Sequence, residues 1–178
     1  MTPSQEFDSL PLFFPDITKC SAAVDFRNCH KNRYIDILAQ DHTRVKLLVS
    51  SDTETDYINA DYIDLGCGQR TIACQAPIES TLYDFWNMIF TQDVKVIVML
   101  ANMIDCANQK CYKYWPGTEF VKIKGIIVET VNIEYASKNN QHHFCDNKRQ
   151  ANKIRNTLSF YSLGGYEHTF CCGDSYAN

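Results

Sequence analysis

The sequence lacks both a long run of positive charge and a long apolar run. Its longest basic run is Lys148-Arg149, and 17 Lys+Arg against 21 Asp+Glu give a net charge of −4. A mildly acidic chain has no general attraction for nucleic acid or anionic lipid. The most apolar stretch, Val94 to Ile104, is interrupted by Lys95 and Asn102 and is too short to cross a bilayer. We therefore expect neither a nucleic-acid partner nor a membrane partner.

Export signals are also missing from the sequence. Residues 1–20 carry Glu6, Asp8 and Asp16 without an early positive charge, and no Asn-x-Ser/Thr acceptor site occurs in the chain. We therefore expect the protein to be cytoplasmic.

Cysteine is abundant, but its pattern lacks the usual signatures of disulfide and zinc chemistry. The 9 cysteines are odd in number and irregularly spaced, which disfavours a disulfide framework. No Cys-x-x-Cys pair occurs, so a zinc ribbon is not expected. His142, His143 and Cys145 could offer metal ligands, but no second pair lies at a ligand spacing, and a polar loop is the better interpretation. We predict no metal and no cofactor.

The hydrophobic pattern that is present predicts an α/β domain. Residues 1–24 form an N-terminal lead-in, which prolines at 3, 11 and 15 divide into short segments. Thr81-x-x-Asp84 is typical of a capping box, and apolar residues then recur at helical spacing to about Gln92. Strand composition occurs at residues 44–49, 57–63, 71–75, 96–100, 120–123, 127–135 and 154–161.

Two segments of this pattern bear on the architecture. Val96 to Leu100 is a continuous apolar run, which suits a strand buried on both faces of a sheet. Residues 162–178 contain Gly164-Gly165 and show no usable periodicity. We therefore interpret residues 25–161 as the folded domain and residues 162–178 as a divergent tail.

Six sequence blocks in a fixed order carry a family resemblance. They are Lys31-Asn32-Arg33-Tyr34-Ile35-Asp36, Asp56-Tyr57-Ile58-Asn59-Ala60-Asp61-Tyr62-Ile63, Ala73-Cys74-Gln75-Ala76-Pro77, Asp84-Phe85-Trp86, Val96 to Leu100, and Lys110-Cys111-x-x-Tyr114-Trp115-Pro116. Together they resemble the N-terminal part of the classical protein tyrosine phosphatases over residues 25–120, and more loosely to residue 161. The mix of blocks is most similar to the short tyrosine phosphatase-like proteins of bracoviruses (polydnaviruses). The resemblance implies a truncated α/β fold, with a twisted mixed sheet and flanking helices, that lacks the C-terminal catalytic half.

The same resemblance implies roles for seven residues. Tyr34 would stack on the substrate's phenyl ring, and Asp36 would accept hydrogen bonds from the substrate backbone. Lys110 and Asp105 match positions near the loop that carries the general acid. Arg33, Asp56 and Asn59 match positions that hold loops together. Taken without the blocks, Tyr34 reads as an ordinary half-exposed aromatic, Asp36 as a turn residue and Lys110 as a solvated charge.

The family's chemistry needs a His-Cys followed by five residues and an arginine, and this chain has no such signature. The cysteine thiolate attacks phosphorus, and the arginine grips the phosphate. The residues six positions after the 9 cysteines are Phe26, Ile35, Ala73, Ser80, Tyr112, Gly117, Ala151, Ala177 and Asn178. No cysteine follows a histidine. The family's Trp-Pro-Asp acid motif is replaced by Gly165-Tyr166-Glu167-His168, where Glu167 is at most a relic of the acid.

Three functional hypotheses remain open at this point. The chain is a catalytically inactive pseudophosphatase of viral origin, acting in the host cytoplasm by binding proteins of phosphotyrosine pathways. Alternatively it hydrolyses phosphotyrosine when a longer product or another chain supplies the missing half, or it is a structural fragment without activity. In the family, the strand that leads into the catalytic loop lies near the strand matching Val96–Leu100. A chain ending near residue 178 would leave that strand with an unpaired edge, so we expect self-association through an exposed sheet edge.

Overall fold

The computed structural model describes residues 2–11, 14–51, 53–66, 68–100, 104–105, 108–109, 111–116, 120–135, 143–151, 154–162 and 168–173. The helices are α1 (Pro3–Asp8), α2 (Ser21–Val24) and α3 (Leu82–Thr91), with 3₁₀ turns at Ile17–Lys19, Cys29–Lys31 and Glu79–Thr81. The strands are β1 (Arg44–Lys46), β2 (Tyr57–Ile63), β3 (Arg70–Gln75), β4 (Val96–Met99), β5 (Ile104–Asp105), β6 (Asn108–Gln109), β7 (Val121–Ile123), β8 (Ile126–Tyr135), β9 (His143–Ala151), β10 (Ile154–Ser162) and β11 (His168–Gly173).

Most of the strands join one mixed sheet. Within the described residues it has 9 strands in the order β1-β2-β3-β11-β4-β10-β9-β8-β7, and β5 pairs separately with β6. The pair β4–β10 is parallel, with Val96 opposite Ser159. All other pairs in the sheet are antiparallel, and β2 meets β3 with Ala60 opposite Cys74. The α/β class and the mixed sheet predicted from the sequence are confirmed.

The core forms where α3 packs on the sheet. Phe85, Trp86 and Ile89 on α3 are fully buried together with Ile97 of β4 and Tyr114. Burying a side chain of this size contributes roughly 1.5–3 kcal/mol. The indole N–H of Trp86 donates to the backbone oxygen of Tyr114 at 3.0 Å, so the ring is buried without an unsatisfied donor. This contact fixes the 111–116 segment against the helix.

The start of α3 differs in detail from the prediction. The helix begins where expected, but the Thr81 side chain makes no cap bond to it. Instead Thr81 Oγ1 accepts from the backbone N–H of Ile78 at 3.1 Å, within the preceding 3₁₀ turn. The predicted capping box at Thr81 is therefore wrong, because this hydroxyl closes the earlier turn.

Four strands were not predicted: the short pair β5 and β6, and the longer β9 and β11. β9 contains His143 and Cys145, which we interpreted as a polar loop, and it pairs along its length with β8 and β10. The tail contributes β11, which lies antiparallel between β3 and β4. β4 is therefore bonded on both sides, by β10 and by β11, and the predicted open edge at this strand is wrong. The edge strands of the sheet, as far as it is described, are β1 and β7.

No helix among the described residues is long and apolar enough to cross a membrane.

Candidate functional site

The segment 31–37, here called the recognition loop, begins at an ion pair with α3. Lys31 Nζ lies 2.9 Å from Asp84 Oδ2, and the two side chains are only 12% and 15% exposed. The ammonium also donates to Thr55 Oγ1 at 2.9 Å and to the backbone oxygen of Tyr57 at 3.2 Å. Because three acceptors surround the ammonium, its charge is compensated although it is nearly buried.

Asn32 continues the attachment towards β2. Its Oδ1 accepts from the Tyr57 hydroxyl at 2.5 Å and from Asn59 Nδ2 at 3.1 Å. Its Nδ2 donates to the backbone oxygen of Ala23 at 3.0 Å. Asn59 is itself buried and donates to the backbone oxygen of Ile37 at 2.7 Å. One buried amide on β2 therefore joins the beginning and the end of the recognition loop.

Arg33 attaches the loop to the end of β3. Its backbone N–H donates to Gln75 Oε1 at 3.0 Å, and its Nη2 donates to the backbone oxygens of Ala76 and Pro77 at 3.1 and 2.9 Å. Gln75 Nε2 in turn donates to the backbone oxygen of Lys31 at 2.7 Å. This reciprocal arrangement fixes the path of the chain immediately before Tyr34.

The three residues between these attachments, Tyr34 to Asp36, form an accessible crest. Tyr34 is half-buried, Ile35 is 94% exposed, and Asp36 is exposed. Among the described residues, nothing pairs with the Asp36 carboxylate. The crest therefore presents an aromatic ring, an aliphatic side chain and a carboxylate in succession.

A cavity of about 280 Å³ opens beside the crest. Its lining residues come from the recognition loop and from β2 and β3, and include Tyr34, Ile37, Asn59, Asp61 and Cys74. The pKa of Asp61 is raised above its ordinary value because the carboxyl group is buried. Thr43 Oγ1 and the Gln40 N–H donate to its Oδ1 at 2.8 and 3.1 Å, and these hydrogen bonds act in the opposite direction without cancelling the rise. The lining of the cavity combines apolar side chains with the polar groups of Asn59 and Asp61.

Cys111, whose thiol lies within the influence of the Arg33 charge, is unsuited to nucleophilic attack. Cys111 is fully buried, and burial raises the pKa of its thiol to about 12, although the Arg33 charge acts in the opposite direction. The reactive species of cysteine is the thiolate, which this site does not stabilise at neutral pH.

The other predicted site residues lie elsewhere or outside the described part. Asp56 Oδ2 accepts from Arg44 Nη2 at 3.1 Å and its backbone oxygen accepts from Arg44 Nη1 at 3.3 Å, which ties the start of β2 to β1. Asp105 lies in β5, opposite Asn108 of β6. Lys110 and Glu167 lie outside the described residues.

Sequence reasoning missed Asp84, Gln75 and Asp61 as parts of this site. Each of them lies within one of the six recognised blocks, so the blocks marked the right segments. Their contacts with residues of other blocks depend on how the elements pack, which a single sequence does not reveal.

The fold is that of an α/β domain, and comparison with known proteins identifies its family. The family model for protein-tyrosine phosphatase matches residues 28–164. The chain therefore belongs to the protein-tyrosine phosphatase family.

Curated relatives include two receptor-type enzymes. Receptor-type tyrosine-protein phosphatase zeta of Rattus norvegicus is 36% identical over 74% of this chain, and a receptor-type tyrosine-protein phosphatase of Caenorhabditis elegans is 41% identical over 75%. The matched regions are 6% and 9% of those proteins.

Solved structures match over a larger share of their length. The catalytic domain of human protein tyrosine phosphatase non-receptor type 18 has a TM-score of 0.74 and 27% identity, covering 83% of this chain and 53% of that domain. A complex of PTPN18 with HER2 phosphopeptides matches with a TM-score of 0.76 and 27% identity, covering 84% of this chain and 57% of that one. The chain thus spans about half the length of the solved domains that it matches.

Proposed function

We propose that this chain is a catalytically inactive member of the tyrosine phosphatase family that binds tyrosine-containing segments of partner proteins at the crest. The observation that carries the proposal is the attachment of the recognition loop at both ends while Tyr34 to Asp36 remain accessible. A loop that is already fixed loses little conformational entropy when a peptide binds. The free energy of binding is therefore not reduced by the cost of ordering the loop. Tyr34 would stack on the phenyl ring, and Asp36 would accept N–H groups of the bound backbone.

The sequence and one pKa support the absence of catalysis in the 178-residue chain. None of its 9 cysteines has an arginine six positions later, so the phosphate-binding signature is missing. The Cys111 thiol is protonated at neutral pH because burial raises its pKa to about 12. Lys110 and Asp105 would then be remnants of the surroundings of the acid loop.

The proposed biological role rests on the resemblance of the sequence blocks to those of bracovirus proteins. We propose a viral pseudophosphatase that acts in the cytoplasm of the host cell by occupying proteins of phosphotyrosine signalling. Support comes from the solved relative PTPN18, which is described in complex with HER2 phosphopeptides. A crest of the same kind in this chain would take related peptide segments.

Phosphotyrosine hydrolysis is the alternative, and the coverage of the solved domains favours it. The chain matches 52–57% of those chains, so a longer product or a second chain could supply the remainder. A mass determination of the native protein distinguishes the two functions. A product that continues into a His-Cys-x5-Arg loop would establish the enzyme.

Two measurements on the purified 178-residue protein test the proposal. Hydrolysis of an aryl phosphate should stay at background with and without vanadate, and vanadate-sensitive turnover would overturn the inactivity. Calorimetry with a tyrosine-containing peptide should show binding that Tyr34→Ala weakens and the matched control Tyr34→Phe retains. Equal binding by the native protein and Tyr34→Ala would overturn the proposed role of the crest.

A further inference from the structure

A second cavity, of about 340 Å³, is lined in part by Lys31 of the recognition loop but shares no lining residue with the crest cavity. Its walls come from residues 27–31, from the segment 47–55, from residues 80–87 and from Lys124 in the turn between β7 and β8. Glu54 stands on one wall and Tyr83 on another. We call this cavity the Glu54–Tyr83 cleft.

The chain's own Lys124 is one of the residues that line the cleft. Its Nζ lies 3.1 Å from Glu54 Oε1 and 4.3 Å from the centroid of the Tyr83 ring. A carboxylate beside an aromatic face is a combination that attracts an ammonium group through charge and through the ring quadrupole. The contacts of Lys124 therefore indicate that the cleft accepts an ammonium group.

Lys124 reaches the cleft from a tight turn. Lys124 and Gly125 have φ of 42° and 90°, and Ile123 pairs with Ile126 across them. Two central residues with positive φ are characteristic of a two-residue hairpin turn, in which Asn, Asp or Gly is usual at the first position and lysine is uncommon. The turn carries the ammonium across the chain to Glu54, far away in sequence.

The charges that line the cleft leave room for a single cation. Each lysine or arginine of the lining has its own carboxylate partner. The pairs are Arg27–Asp25, Lys31–Asp84 and Lys124–Glu54, at N–O distances of 2.8, 2.9 and 3.1 Å. When Lys124 withdraws, Glu54 is the carboxylate left without an ion-pair partner, and the Lys31 charge alone still acts on it. The cleft then attracts one positively charged group.

Replacing Lys124 costs little because its ion pair is exposed. The Lys124 and Glu54 side chains are 61% and 30% exposed, whereas those of Lys31 and Asp84 at the same cleft are nearly buried. Exposed ion pairs are screened by solvent and are weak. A competing ammonium therefore displaces Lys124 more readily than it displaces Lys31.

Apolar surface for the stem of an incoming side chain lies beside the carboxylate. Leu48 is 69% exposed and Val49 is 45% exposed, and both line the cleft. A lysine side chain packs its methylene groups on such surface while its ammonium remains at a polar partner.

We propose that the Glu54–Tyr83 cleft binds a lysine side chain of a partner polypeptide, which displaces the resident Lys124. The partner is a segment with a lysine between apolar residues, since the exposed Leu48 and Val49 line the same cleft as Glu54. The proposal does not depend on the crest, because the two cavities have no lining residue in common.

The probe is a blocked valine-lysine-valine tripeptide, and the control replaces its lysine by norleucine, which keeps the stem without the ammonium. Binding is followed by chemical-shift changes of the 178-residue protein at mildly alkaline pH. The lysine peptide should bind and shift signals of Glu54 and Tyr83, and Lys124→Ala should strengthen its binding roughly two- to fivefold by removing the competitor. Glu54→Gln should weaken it roughly two- to fivefold, and Tyr83→Leu roughly two- to fivefold.

The variants are compared with Tyr34→Ala, which should leave binding of the lysine peptide unchanged. Equal binding of the lysine and norleucine peptides would overturn the proposal, because the cleft would then be an apolar surface only. Weaker binding by Lys124→Ala would overturn it as well, since Lys124 would then be part of the site and not its competitor. Circular dichroism of each variant checks that a loss of peptide binding is not caused by unfolding.

Discussion

A lysine–carboxylate ion pair occurs both at the start of the recognition loop and at Lys124, but the two pairs differ greatly in their exposure to solvent. Lys31 and Asp84 form an ion pair that is nearly buried and is supplemented by Thr55 and the Tyr57 backbone. The Lys124–Glu54 pair is largely exposed and has one aromatic neighbour. Burial makes the first pair costly to break, and solvent makes the second easy to exchange. Identical chemistry thus gives a fixed crest at one site and an exchangeable contact at the other.

The largest expected effect is the loss of the buried partner of Lys31. Asp84→Ala should destabilise the protein by about 3–5 kcal/mol, because it leaves a nearly buried ammonium without its counter-charge. Urea denaturation of the purified protein measures this. The double variant Lys31→Met with Asp84→Leu should recover most of the loss, because neither charge is then buried. A destabilisation no larger than that of an exposed pair would show that water reaches this site.

A smaller effect is expected from the amide that joins the ends of the recognition loop. Asn59→Ala should cost about 1–3 kcal/mol, because the Ile37 carbonyl and the Asn32 amide oxygen lose a buried donor. Hydrogen exchange should also become faster within residues 31–37 but stay unchanged in β4. Uniformly faster exchange would mean that Asn59 supports the whole sheet and not the loop in particular.

The accessible part of the loop should affect binding and not stability. We predict that a phosphotyrosine peptide binds no better than its unphosphorylated twin, since the chain has no His-Cys-x5-Arg loop to receive the dianion. Calorimetry with the two peptides compares their affinities directly. A preference for the phosphopeptide of about tenfold or more, or roughly 1.4 kcal/mol, would contradict this and indicate an anion site beside the crest.

The smallest effect is expected at the Lys124 contact. Lys124→Ala should lower the free energy of unfolding by less than about 1 kcal/mol, and added salt should shrink the difference. The Ser50 N–H and the Lys124 ammonium hold the pKa of Glu54 below its ordinary value of 4.5. The contribution of Glu54 is therefore present above pH 4.5 and is lost as the pH falls through its lowered pKa in the folded protein.

Thermal melts of the native protein and Lys124→Ala across this pH range provide the measurement. The two curves should converge at acid pH, where Glu54 is protonated. Curves that stay equally far apart at acid pH would assign the effect of Lys124 to its contact with the Tyr83 ring alone.

The local sequence pattern was sufficient to predict a helix or strand wherever the segment itself had a clear hydrophobic periodicity or an apolar run. The apolar run of β4 and the helical spacing of Phe85, Trp86 and Ile89 each predicted the correct element. β9 escaped prediction because residues such as Asp146, Asn147 and Lys148 have low strand propensity, and its pairing with two long neighbours overrides that preference. β11 escaped because its place between β3 and β4 is set by those strands and not by its own glycine-containing sequence.

The candidate site was predictable in part for the same reason. The blocks marked Tyr34, Asp36, Arg33 and Asn59 as candidate site residues because each block is a contiguous segment with a recognisable pattern. The contact of Lys31 with Asp84 and that of Lys124 with Glu54 join segments far apart in the chain, and no periodicity links such residues. Their strength depends on burial, which arises only when the elements have packed.

The sequence by itself determined the family, the α/β class and the absence of a His-Cys-x5-Arg signature among these 178 residues, because all three are properties of residue order. The tertiary structure decided that the tail closes the side of β4, that the recognition loop is fixed at both ends, and that Lys124 rests against Glu54 and Tyr83. These features depend on distance and on access to water, and both are set by the packing of segments that are remote in the chain.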